Sequence, residues 1–124
     1  MRLRRSRIKT FYHKKRTVKK DKEGSTSEEY GAASSVIGEF WPASGKVQAE
    51  QYGQRLNYIC NVRLQDSYTV NADEKGRLHY VLEDGTDIEE LDGICLYVAP
   101  NQRPDYRIIS IKPYRFLTME VEKI

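Results

Sequence analysis

Histidine and cysteine are scarce in this chain: its 124 residues hold two of each, His13, His79, Cys60 and Cys95. General acid–base catalysis most often uses histidine, and a nucleophile needs a base within reach. His13 stands among Lys14, Lys15 and Arg16, and His79 between Leu78 and Tyr80, so each reads as a surface or filler side chain. The cysteines have no Cys-x-x-Cys spacing and no histidine close in sequence to complete a metal site, so buried reduced thiols are expected. Walker-type loops, a Gly-x-Gly-x-x-Gly turn after a strand, and zinc-ligand spacings are all missing. No apolar run approaches the roughly 18 residues of a membrane span, and the basic start lacks the apolar stretch of a secretory signal. The expectation is a protein that is not an enzyme, takes no cofactor or metal, has no membrane partner, and is soluble and cytoplasmic when made.

What the chain does have is charge, unevenly spread. Charged residues make up 31% of it against 39% hydrophobic, so the core must be small and much of the chain solvated. Met1 to Lys22 holds eleven of the 21 Lys and Arg but one of the 18 acids, a net of +10 against −7 for the remainder. An arm carrying Arg2, Arg4, Arg5, Arg7, Lys9, Lys14, Lys15 and Arg16 is expected to dock on something acidic. That target is DNA, a neighbouring subunit or the body of the same chain.

The acids concentrate at Glu83, Asp84, Asp87, Glu89, Glu90 and Asp92. Their spacing is not that of an EF-hand. Asp84-Gly85 and Asp92-Gly93 read as turns, and the surrounding charges as a solvated or partner-facing loop. A pair of opposed carboxylates such as Asp87 and Glu89 is all that a glycosidase reading would have to work with. Phe11, Tyr12 and His13, interleaved with cations, suit stacking on bases while phosphates are neutralised. That gives an alternative of another class, a small nucleic-acid-binding barrel using its basic arm.

Length allows one core. The periodicity is that of strands: Leu56, Tyr58, Cys60, Val62 and Leu64 alternate with polar residues, only Ile59 breaking the polar face. Shorter alternations cover Ile8 to His13, Arg77 to Leu82, Tyr106 to Lys112, and Leu117, Met119 and Val121. Val36 to Ala43 is rich in β-formers, and Gly93 to Ala99 looks like a strand buried on both faces. The segment Lys19 to Ser35 is too polar to bury much and reads as a mobile loop. Val47 to Gly53 has no clean period and reads as a weakly structured loop. The fold class is therefore mainly β, a small single-domain barrel or sandwich of about six or seven short strands over residues 8–124, with a basic N-terminal arm over 1–22. Trp41, Tyr58, Val62, Leu96, Ile108 and Leu117 are expected in one core.

Several short runs carry a likeness. Glu39-Phe40-Trp41-Pro42-Ala43-Ser44-Gly45, then Ala49-Glu50 and a strand around Asn61-Val62-Arg63, resembles the bacteriophage head-tail joining proteins, also called head-closure or stopper proteins. Pro104-Asp105-Tyr106-Arg107-Ile108-Ile109-Ser110-Ile111 and Tyr114-Arg115-Phe116-Leu117 are similar to that family's closing strands. The long basic lead-in and the acidic stretch from Ser67 to Asp92 depart from the pattern.

The resemblance implies a β-barrel subunit that assembles as a ring on the portal-bound adaptor of a phage or prophage. There it helps retain packaged DNA and offers a docking surface to tail-completion or tail-tube proteins. Such a protein is made in the bacterial cytoplasm and ends in the neck of the virion. A mobile loop from each subunit would close the channel. By position that loop is Ser44, Gly45, Lys46, Gln48, Glu50, Tyr52, Gln54 and Arg55, with Lys46 and Arg55 near DNA phosphate and Tyr52 packing. The arm of one subunit, Arg2 to Lys22, is expected to lie on Glu83 to Asp92 of the next.

Overall fold

A computed structural model of the chain describes residues 8–124; the cationic positions Arg2, Arg4, Arg5 and Arg7 lie outside that range. The elements run β1 (Lys9–Lys20), β2 (Thr26–Pro42), α1 (Lys46–Tyr52), a 3-10 helix (Gly53–Tyr58), β3 (Ile59–Leu64), β4 (Tyr68–Ala72), β5 (Leu78–Leu82), β6 (Asp87–Ile88), β7 (Gly93–Cys95), β8 (Tyr106–Pro113) and β9 (Leu117–Lys123). Six strands close an antiparallel barrel in the order β1-β2-β3-β9-β8-β7, and β4-β5-β6 form a separate three-stranded sheet. Closure leaves the barrel itself no open edge.

Alternation builds the core. Leu117, Met119 and Val121 of β9 are fully buried, as are Val62 and Leu64 of β3 and Ile108 of β8. Phe11, Val36 and Ile94 close the inside from β1, β2 and β7, and Tyr80, Leu82 and Ile88 of the small sheet join the same cluster. The two sheets are thus one hydrophobic unit. Both cysteines are free and buried. At Gly38 the walls approach closely: a Cβ there would lie 2.2 Å from the Arg63 carbonyl oxygen, so only glycine lets β2 lie on β3 at that point.

Three sequence expectations are corrected. Lys19 to Ser35 is not a mobile loop, since β1 and β2 pair continuously from Lys9↔Gly38 to Lys20↔Thr26, with one irregularity between Lys14 and Arg16. Only Asp21 to Ser25 turns. The Asp21 carboxylate accepts from the backbone N–H of Glu23 and Ser25, and Gly24 takes a positive φ of 85°. A polar ribbon satisfies its backbone by cross-strand hydrogen bonds and its charges by pairs such as Arg16–Glu28 and Lys19–Glu29, contributions that composition does not register.

Second, Tyr58 is 58% exposed and Trp41 half-buried beneath the Arg63 guanidinium, while Ile59 takes the core position. The strand starts at Ile59 rather than Leu56, because Gly53–Tyr58 is a 3-10 helix with a repeat of three. Third, β7 ends at Cys95. The N–H groups of Leu96 and Tyr97 turn to the Asp105 carboxylate, leaving Leu96 half-buried at the edge of the core and Tyr97 exposed.

Candidate functional site

The segment expected to line a channel is a strap across the outer barrel wall. After Pro42 the chain turns at Gly45 (φ 96°), runs through α1, turns again at Gly53 (φ 57°) and enters β3. Neither α1 nor the 3-10 helix has a buried residue, so polar contacts hold the strap. Gln48 Nε2 donates to Asn61 Oδ1 at 2.7 Å and to Glu120 Oε2 at 2.9 Å. Asn61 and Glu120 face the same side because they are direct partners across β3 and β9.

Glu120 is 1% exposed, and Lys112 Nζ lies 3.4 Å from it. Burial would raise its pKa, but hydrogen bonds from Gln48 and Tyr52, with the Lys112 charge, outweigh that and hold the carboxyl below its ordinary value. Tyr52 is pushed up to about 12 by burial and by its hydrogen bond to Glu120. At the far end Arg55 grips Glu122 with two bonds of 2.7 and 2.9 Å. Ser44, Gly45, Lys46, Glu50 and Gln54 are exposed on the outer side. The expected flexible loop is therefore a helical strap. Its polar sequence lacks a helical apolar stripe because its contacts are hydrogen bonds to a wall that lies elsewhere in the chain.

A second constellation joins the basic strand to the acidic band within one chain. His13, 3% exposed, places Nε2 at 2.8 Å from Asp92 Oδ2, and Asp92 also accepts from the N–H of Arg16 and of Glu89. Lys15 Nζ lies 2.9 Å from Glu89, 3.4 Å from Asp87 and 3.6 Å from Asp92. His79 bridges Asp87 Oδ1 at 2.9 Å and Asp73 Oδ2 at 3.0 Å, and Arg77 reaches Glu89 at 3.2 Å. Beside these groups Arg77, Leu78, Tyr80, Glu89, Glu90 and Leu91 line a shallow notch of about 210 Å³.

Of the three targets expected for the basic arm, the body of the same chain receives two of its residues: His13 and Lys15 meet the acidic band within the chain. Lys14 bonds the Gln102 carbonyl, Arg16 pairs with Glu28, and Lys9 sits over the Phe40 ring. The cause is the antiparallel pairing of β1 with β7, which brings His13 opposite Ile94. Glu83, Asp84 and Glu90 remain exposed. His13 is thus a buried joint and not a surface residue.

No family model, curated protein or solved structure matches the chain. The site must be read from its own geometry. Among the described residues no group of three or more His, Cys, Asp and Glu side chains has a metal-binding arrangement, and no helix is long and apolar enough to cross a membrane. The His13–Asp92 pair resembles a base with its orienting carboxylate, but its partners are backbone N–H groups and Lys15, and it joins β1 to β7.

Sequence reasoning picked out the strap segment and the two charged runs. It missed Glu120 and Asn61 as the groups that receive the strap. Nothing in the sequence marks Glu120, since an acid alternating with Met119 and Val121 reads as an ordinary outward-facing residue.

Proposed function

We propose that this chain is a structural connector subunit of a phage or prophage, a ring component at the junction of portal adaptor and tail that closes the DNA channel and offers the tail a docking surface. One observation carries the reading. The runs that resemble head-closure proteins are far apart in sequence yet contiguous in space: Glu39 pairs with Arg63, Phe40 with Val62 and Trp41 with Asn61, β3 then pairs with β9, and β9 with β8. They make one uninterrupted wall, and the strap it carries is the segment that would face the channel. The β1–β2 ribbon adds a reaching element, for residues Thr17 to Glu29 pair only with each other and are exposed. The partners are further copies of the chain, the adaptor and portal proteins, tail-completion or tail-tube proteins, and packaged DNA in non-specific contact.

The nucleic-acid-binding alternative loses two of its cations, since Lys15 pairs with Glu89 and Arg16 with Glu28 within the chain. The test is electron microscopy of the portal assembly mixed with this protein. Ring density added at the tail-facing end, with the channel narrowed at the level of residues 44–58, is the expected result. An unchanged portal, with salt-sensitive DNA binding by the free protein, would overturn the proposal in favour of the alternative.

A further inference from the structure

Two buried donors, Tyr30 Oη and Arg107 Nε, lack hydrogen-bond partners at one place on the barrel wall. Lys14, Gly93 and Arg107 stand opposite one another across β1, β7 and β8, in one row on one face. A Cβ at Gly93 would lie 2.4 Å from Pro104 Cγ and 2.9 Å from Tyr30 Cδ1, so the Tyr30 ring and Pro104 lie over the bare glycine. Beside them a cavity of about 320 Å³ is lined by Lys14, Glu28, Glu29, Tyr30 and the loop Asn101 to Pro104.

Lys14 is 8% exposed, and its ammonium, with three N–H groups to satisfy, meets the Gln102 carbonyl at 2.6 Å. Tyr30 Oη and Arg107 Nε are buried without a hydrogen-bond partner. Among the described residues no carboxylate lies within ion-pairing distance of Lys14 or Arg103. The two nearby acids are engaged: Glu28 with Arg16 at 2.9 Å and Glu29 with Lys19 at 2.8 Å. A buried cation whose only partner is a neutral carbonyl is costly, and an anion accepting from several donors relieves it.

We propose that this cavity binds a single oxyanion, a phosphate or carboxylate group, held by the Lys14 ammonium, the Tyr30 hydroxyl and the Arg103 guanidinium; the neighbouring Arg107 is paired with Glu122 at 3.6 Å. Lys14, Tyr30 and Arg103 line the same cavity. A nucleic-acid backbone would need cations spaced along a groove instead.

The test titrates the full chain with sodium phosphate and, separately, sodium acetate, the ionic strength being held with sodium chloride, while amide correlation spectra are followed. Saturable shifts at Tyr30, Gly93, Gln102 and Arg103 are expected with at least one of the two. Saturation by phosphate alone assigns a phosphate ligand, and saturation by acetate alone a carboxylate. Arg103→Ala, at an exposed position, should weaken that binding about tenfold, the loss of one hydrogen bond between charged groups. Tyr30→Phe should weaken it less, and Arg55→Ala on the strap should leave it unchanged. Shifts that fail to saturate, that sodium chloride alone reproduces, or that survive both Arg103→Ala and Tyr30→Phe would overturn the site.

Discussion

Individual residues divide by which face of the barrel they meet. Met119 is completely buried among Val62, Ile108 and Leu117, so Met119→Ala should cost roughly 2–5 kcal/mol of stability, read as a lower urea midpoint. Gly38→Ala should also destabilise, by roughly 1–3 kcal/mol, because its Cβ would meet the backbone of Arg63 and not a side chain able to move. Unchanged urea midpoints would mean that β2 and β3 can slide apart freely. Val62, Ile108 and Leu117 were readable as core from their alternation, which registers a local period of two. Trp41 and Tyr58 were not, because hydrophobicity says nothing about which side of a strand faces in. Trp41 faces out, on the same side as Asn61, and Tyr58 precedes the strand altogether.

At the scale of elements, polar contacts hold what apolar burial does not. With no buried residue of its own, the strap depends on Gln48, Tyr52 and Arg55. Gln48→Ala should therefore speed hydrogen exchange of strap amides from Ala49 to Tyr58 while leaving β3 and β9 protected. Equal acceleration across the barrel would show the strap to be part of the global fold. The small sheet has a comparable clip in His79, whose pKa is raised above its ordinary 6.5, first by the hydrogen bond to Asp73 and then by that to Asp87. The folded state favours the protonated ring, so the stabilisation is fully present below about pH 6.5 and is lost as pH rises through the raised folded value. The difference in stability between the wild-type protein and His79→Gln should accordingly be largest near pH 5 and shrink towards pH 9 in urea titrations. A difference independent of pH would mean that His79 acts through packing alone. Neither the strap nor the clip was legible, since the receiving groups, Glu120 and Asp73, look like ordinary surface acids in the sequence.

For the whole molecule, the ribbon separates folding from assembly. Replacing Val18 to Glu28 by Asn-Gly would join Thr17 to Glu29, which are already direct partners, through a two-residue turn suited to hairpins. The shortened protein should melt within a few degrees of the full chain by circular dichroism, because the deleted residues lie outside the core. In the connector reading it should fail to cosediment with portal particles. Cosedimentation equal to that of the full chain would remove the ribbon from the assembly surface.

What the sequence by itself determined was the class and the punctuation: a β protein with one core, a strand ending at Leu64 whose start was read three residues early, strands over Tyr106 to Lys112 and around Leu117 to Val121, and a proline at 113 that separates the last two. These follow from the backbone period and turn chemistry, which act over a few residues. Only the tertiary structure decided which charges meet. Lys15 finds Glu89 across 74 residues and His13 finds Asp92 across 79, because closure of β1 on β7 sets them side by side. It also turned a polar run into a ribbon and an aperiodic run into a strap, since backbone pairing and long-range hydrogen bonds depend on a partner surface elsewhere in the chain.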